Sequence, residues 1–60
     1  MSATAEAQEF AKEFLGKNPE LKDEVNDMFQ LMQDEIEAGE SEQNELDLFI
    51  GACKDLLEDE

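Results

Sequence analysis

The feature that most constrains the fold is a helical apolar period, which occurs three times along the chain. Apolar residues recur at spacings of three and four, the pattern of a helix that buries one face. No alternating apolar and polar run, typical of a half-buried strand, interrupts them. In chain order, the three apolar faces comprise Ala3, Ala7, Phe10, Ala11 and Phe14; then Leu21, Val25, Met28, Met32 and Ile36; then Leu46, Phe49, Ile50, Cys53, Leu56 and Leu57. We therefore expect three amphipathic helices and an all-α fold.

Residues that start or stop helices separate these three faces. Ser, Thr and Asn cap helix N-termini, Pro suits the first helical turn, and Gly commonly follows the last turn. In chain order, these residues are Ser2 or Thr4 before the first helix, Gly16 after it, Asn18 and Pro19 before the second, Gly39 after it, and Ser41 before the third. The sequence predicts helices at about 3–15, 19–38 and 42–57, packed as a small three-helix bundle with antiparallel neighbours. This is interpreted as a single acidic helical domain, with 58–60 as a frayed acidic tail.

The composition adds a large negative charge. Eighteen Asp and Glu residues stand against four Lys, with no Arg and no His, so the net charge is −14. Three of the four lysines lie between residues 12 and 22, and none occurs between Asp23 and Cys53. Such a charge repels nucleic acid and anionic membranes and attracts basic surfaces. We therefore expect a basic protein surface as partner, and neither nucleic acid nor a membrane as a direct one.

The acidic residues of the second and third helices form a predicted partner-binding surface, here called the acidic ridge. Its part on the second helix runs for about 26 Å opposite the apolar face. Repulsion between acidic neighbours at helical spacing destabilises the fold by roughly 1–4 kcal/mol at low salt. The charge therefore has two readings, a solvated face that serves solubility or a surface whose repulsion a basic partner relieves. The ridge comprises Glu20, Asp23, Glu24, Asp27, Asp34, Glu37, Glu42, Glu45, Asp47 and Asp55.

The second reading leads to the main functional hypothesis, a non-enzymatic acidic interaction protein. Duplex DNA carries roughly one negative charge per 1.7 Å of axis. The ridge on the second helix is sparser, so an imitation of DNA would need the third helix as well. By charge alone, and with no shared motif, the chain resembles as a class the small acidic proteins that occupy nucleic-acid sites on their targets. That resemblance implies an inhibitor or nucleic-acid mimic bound to a nucleic-acid-binding protein.

An alternative hypothesis starts from apolar residues that lie off the predicted core. Leu48 points away from the apolar face of the third helix, beside Gly51 and Ala52, and Leu31 lies on a shoulder of the second face. A mid-helix glycine costs roughly 1 kcal/mol relative to alanine and permits close approach of another backbone. These four residues form a predicted apolar patch. Through it, a structural or adaptor module would form a homodimer or bind a partner, with charge serving solubility only.

Catalytic, cofactor and metal sites are not expected. The segment 34–45 has the Asp, Gly and Glu positions of a calcium-binding loop, but Ile36 and Ala38 stand where two ligands are needed. Cys53 lies on the apolar face and is interpreted as a core residue, since an activated thiol needs a nearby base or cation. A single cysteine and an N-terminus unlike a secretory signal favour a reducing compartment, and the cytoplasm is the expected location.

Overall fold

The computed structural model describes residues 2–58, and these residues form helices joined by short turns, without a strand. The predicted all-α fold with three helices is confirmed. In chain order the elements are helix α1 at Ala3–Lys17, a 3-10 turn at Pro19–Leu21, helix α2 at Lys22–Glu37 and helix α3 at Glu42–Glu58. None of the helices in this part of the chain is long and apolar enough to cross a membrane.

The helices alternate in direction as predicted. The start of α1 meets the end of α2, since Thr4 lies beside Glu37 in one surface groove. The start of α1 also meets the start of α3, because Glu6 and Glu42 line another groove. Helices α1 and α3 are therefore parallel, and α2 runs antiparallel to both.

The core takes residues from all three predicted apolar faces. Its centre is aromatic: the ring of Phe49 packs edge-on against Phe10 at 6.3 Å and Phe29 at 5.8 Å between centroids. Phe10 in turn stacks on Phe14 at 5.8 Å. Phe49 thus joins α3 to both other helices. The buried residues of the core are Ala7, Phe14, Val25, Met32, Leu46, Phe49 and Cys53.

The connection between α1 and α2 differs from the prediction. Gly16 does not end α1, which continues to Lys17. The helix ends at Asn18, whose backbone N–H and side-chain amide both donate to the carbonyl of Phe14. The side-chain amide of Asn18 therefore caps the C-terminus of α1 and does not cap the N-terminus of the next element. Pro19 opens a 3-10 turn as the first residue of the following element, so α2 itself begins at Lys22.

The other helix ends agree with the prediction. Gly39 has φ +105°, and the N–H groups of Gly39 and Glu40 donate to the carbonyls of Ile36 and Glu35, which is the Schellman pattern. The hydroxyl of Ser41 accepts from the N–H of Asn44 at 3.3 Å. At the start of α1, the Ser2 hydroxyl accepts from the N–H of Ala5 at 3.1 Å. Helix α3 includes Glu58, and the other two residues of the predicted acidic tail lie outside the described residues.

Candidate interaction surface

The structure places the acidic ridge on the solvent side of α2 and α3, except for Glu20, which lies in the 3-10 turn before α2. Nine of its ten carboxylates are exposed, and Glu45 is half-buried. Two of them have amide partners within their own helix: Gln30 donates to Asp34 and Gln43 donates to Asp47, each at 3.1 Å. These bonds fix the two carboxylates without neutralising them, because the amide carries no charge.

The helix directions divide the ridge between the two ends of the bundle. One end, here called the acidic pole, collects the start of α1, the end of α2, the α2–α3 turn and the start of α3. The segments 2–8 and 31–46 that form it contain no lysine. The carboxylates of the acidic pole are Glu6, Asp34, Glu35, Glu37, Glu40, Glu42 and Glu45.

The opposite end holds most of the positive charge and is here called the lysine pole. Lys17 ends α1, Lys22 begins α2 and Lys54 lies in the last turns of α3. Ridge residues Glu20 and Asp23 lie at this end. The structure therefore does not present the predicted ridge as one uniform acidic surface, since one part of it is lysine-free and the other part lies near lysines.

A second feature joins most of the predicted apolar patch into one groove, here called the α2–α3 groove. It has a volume of about 290 Å³ and lies between these two helices. Leu31 and Leu48 are 60% and 59% exposed and line opposite sides of it. The full lining is Met28, Leu31 and Met32 from α2, and Leu48, Phe49, Ala52 and Glu45 from α3.

Sequence reasoning missed part of this groove and included one residue that does not line it. Met28, Met32 and Phe49 were assigned only to buried faces, yet each also contributes to the groove. Gly51 is exposed but lies outside the groove lining. A Cβ atom built at Gly51 meets nothing within 4 Å, so no part of the described chain uses the close approach that glycine permits.

Among residues 2–58, no group of three or more His, Cys, Asp or Glu side chains is placed so that it could hold a metal ion. The segment 34–45 forms a helix end, a glycine turn and a serine cap. Cys53 is fully buried, which confirms its assignment to the core. Burial raises the pKa of its thiol, because the thiolate would lose its hydration. A buried thiol of raised pKa is a poor nucleophile.

Neither a protein-family model, nor a curated protein, nor a solved structure matches this chain.

Proposed function

We propose that this chain is a non-enzymatic acidic interaction protein that binds a basic surface on a partner protein. The observation that carries the proposal is the acidic pole. Seven carboxylates come from three helices and a turn to one end of the bundle, in segments without a lysine. A partner that presents Lys and Arg would find a concentrated, fixed negative potential there.

The energetic cost of this arrangement supports a role in binding. Within α2, Asp34 and Glu37 are like charges at the i,i+3 spacing, and both oppose the dipole at the C-terminal end of the helix. A domain of this size has a total stability of only about 5 kcal/mol. Such repulsion is relieved when a basic surface supplies the missing counter-charges.

The partner site we propose is one that otherwise binds nucleic acid. Proteins contact nucleic-acid backbones mainly through Lys and Arg set against phosphates. Carboxylates on a rigid helical frame offer the same sign of charge to those side chains. The chain would then act as a competitor of nucleic acid, which is a form of inhibition that needs no catalytic group.

The test compares the chain with two triple variants that change the net charge equally. In the ridge variant, Asp27→Asn, Asp34→Asn and Glu37→Gln remove three exposed carboxylates of α2. In the control variant, Glu9→Gln, Glu13→Gln and Glu58→Gln remove three exposed carboxylates that lie outside both the ridge and the acidic pole. Each immobilised protein is used to capture partners from a cell lysate at low and at high salt, with and without duplex DNA as competitor.

We expect captured proteins to be lost at high salt, displaced by DNA, and reduced much more by the ridge variant than by the control. Electrostatic attraction weakens as ions screen it, with a Debye length of about 10 Å at 0.1 M salt. Capture that is indifferent to salt would disprove the proposal. Equal loss in both variants would mean that net charge, not the α2 surface, is responsible.

A further inference from the structure

The α2–α3 groove is an apolar surface that the described chain leaves uncovered. Among residues 2–58, three large apolar side chains are exposed, and two of them, Leu31 and Leu48, line this groove. The third, Leu57, is 45% exposed and lies in a different groove, between α1 and α3. Two leucines exposed by about 60% in one groove mark an interaction site more strongly than leucines scattered singly over a surface.

Carboxylates surround the apolar floor of this groove. Glu45 is part of the lining itself, one helical turn before Leu48. On α2, Asp27 and Asp34 lie at helical spacings of four and three from Leu31, which puts their Cβ atoms about 5–6 Å from that of Leu31. The segments that line the groove contain no lysine. The groove therefore combines apolar walls with a carboxylate in its lining and two more carboxylates beside Leu31.

We propose that the α2–α3 groove docks a basic amphipathic helix of the partner protein, a proposal that rests on the proposed function and specifies its contact surface. A cleft between two antiparallel helices suits a further helix, which would complete a four-helix arrangement. Apolar residues at i, i+3 or i+4, and i+7 of that helix contact Leu31 and Leu48. Its flanking Lys and Arg face Glu45, Asp27 and Asp34. A second copy of this chain is a poorer occupant, because it adds another charge of −14 beside the same carboxylates.

The probe is a pair of synthetic Leu-Lys-Ala peptides of identical composition, each about four helical turns long. In one peptide the leucines lie on a single helical face, and in the other their positions are permuted around the helix. Both carry the same charge, so a difference in affinity reports the apolar contact. Affinities are measured by fluorescence anisotropy at low salt and at about 1 M NaCl, where exposed charges are screened.

The variant carries Leu31→Ser with Leu48→Ser, and the matched control carries Leu57→Ser. All three leucines are exposed, and circular dichroism verifies that each variant remains helical. We expect the wild-type chain and the control to bind the amphipathic peptide about tenfold or more tightly than the permuted one, since a buried leucine contributes roughly 10- to 100-fold in affinity. We expect the double variant to lose this preference.

Equal affinity of the wild-type chain for both peptides would overturn the groove proposal. So would an equal loss of preference in the double variant and in the control. Sedimentation gives one more contrary outcome. If the wild-type chain is a dimer and the double variant is a monomer, the occupant of the groove is a second copy and the proposal is wrong. A separate result would contradict the proposed function. This result is that the ridge variant binds the permuted peptide as tightly as the wild-type chain does.

Discussion

Two of the grooves between helices have the same volume, about 290 Å³, but differ in charge. The α2–α3 groove is apolar with one lining carboxylate, Glu45. The groove between α1 and α3, here called the α1–α3 groove, is lined by Phe10 and Leu57 together with Lys17 and Lys54. Both grooves arise from the same helix packing. The difference therefore comes from where the four lysines fall along the chain, and not from the shape of the fold.

The comparison shows how helix direction converts a sequence asymmetry into a spatial one. Lysines at the end of α1, the start of α2 and the end of α3 meet at one pole because α2 runs antiparallel to its neighbours. The groove near that pole has its own counter-charges, since Glu13 also lines it. The lining of the α2–α3 groove contains one carboxylate, Glu45, and no lysine. In the proposal above, a partner supplies the counter-charge.

The largest effect on stability should come from removing acids on α2. The ridge variant eliminates the repulsion between Asp34 and Glu37 and between Asp27 and its acidic neighbours one turn earlier. We expect its free energy of unfolding to rise by about 1 kcal/mol at low salt. Urea denaturation followed by circular dichroism measures this change, since urea adds no ions.

The control variant should show almost no change. Its three glutamates, Glu9, Glu13 and Glu58, each lie three or four residues from a lysine, so their removal costs attraction as well as repulsion. The difference between the two variants should shrink at about 1 M NaCl, as screening removes both terms. Equal stabilisation of the two variants would show that the negative charge acts on the whole molecule, and the contrast between α2 and the positions near lysines would be lost.

The sequence was sufficient to predict the helices and the core. Val25 and Met32 are seven residues apart, which puts them on one face of a helix two turns apart but on opposite faces of a strand. The glycine stop at Gly39 was also predictable, because Ser41 follows as an independent cap. The end of α1 could not be predicted from Gly16 alone, because Asn18 and Pro19 follow closely and are also residues at which helices end. In the structure α1 ends at Asn18.

The groove was not predictable, because it depends on how the helices turn around one another. The sequence puts Leu31 on a shoulder of one apolar face and points Leu48 away from another, yet both line the groove. Whether a shoulder faces the neighbouring helix or solvent depends on the handedness of the bundle, which the apolar period does not specify. The two poles could have been inferred, since alternating helix directions and the lysine positions are both readable from the sequence.

A smaller gain in stability should come from replacing either of the two glycines that lie inside helices. Gly16 and Gly51 are exposed, and a Cβ atom at either meets nothing within 4 Å. We expect Gly16→Ala and Gly51→Ala each to raise the free energy of unfolding by roughly 0.5–1 kcal/mol, because alanine restricts the unfolded chain and favours the helix. Thermal denaturation measures both.

These variants also test which side of α3 a partner uses. Gly51 lies outside the lining of the α2–α3 groove, so Gly51→Ala should bind the amphipathic peptide as tightly as Gly16→Ala does. A selective loss of binding in Gly51→Ala would mean that a partner backbone approaches α3 at this glycine. The contact surface would then be centred on Gly51 instead of on Leu31 and Leu48.

The smallest effect concerns Cys53, which lies in the core and lines neither groove. Its thiol has an ordinary pKa of 9.0, and burial raises the pKa in the folded state. The folded chain therefore keeps this proton when the unfolded chain has released it, so the contribution of Cys53 to stability should be constant below pH 9.0 and fall as the pH rises above it. Urea denaturation at pH 7 and at pH 10 measures the fall, with Cys53→Ala as the control for every change that does not involve the thiol. A fall of the same size in Cys53→Ala would show that the thiol is hydrated, and one of the two grooves would then have to open far enough to admit water to the core.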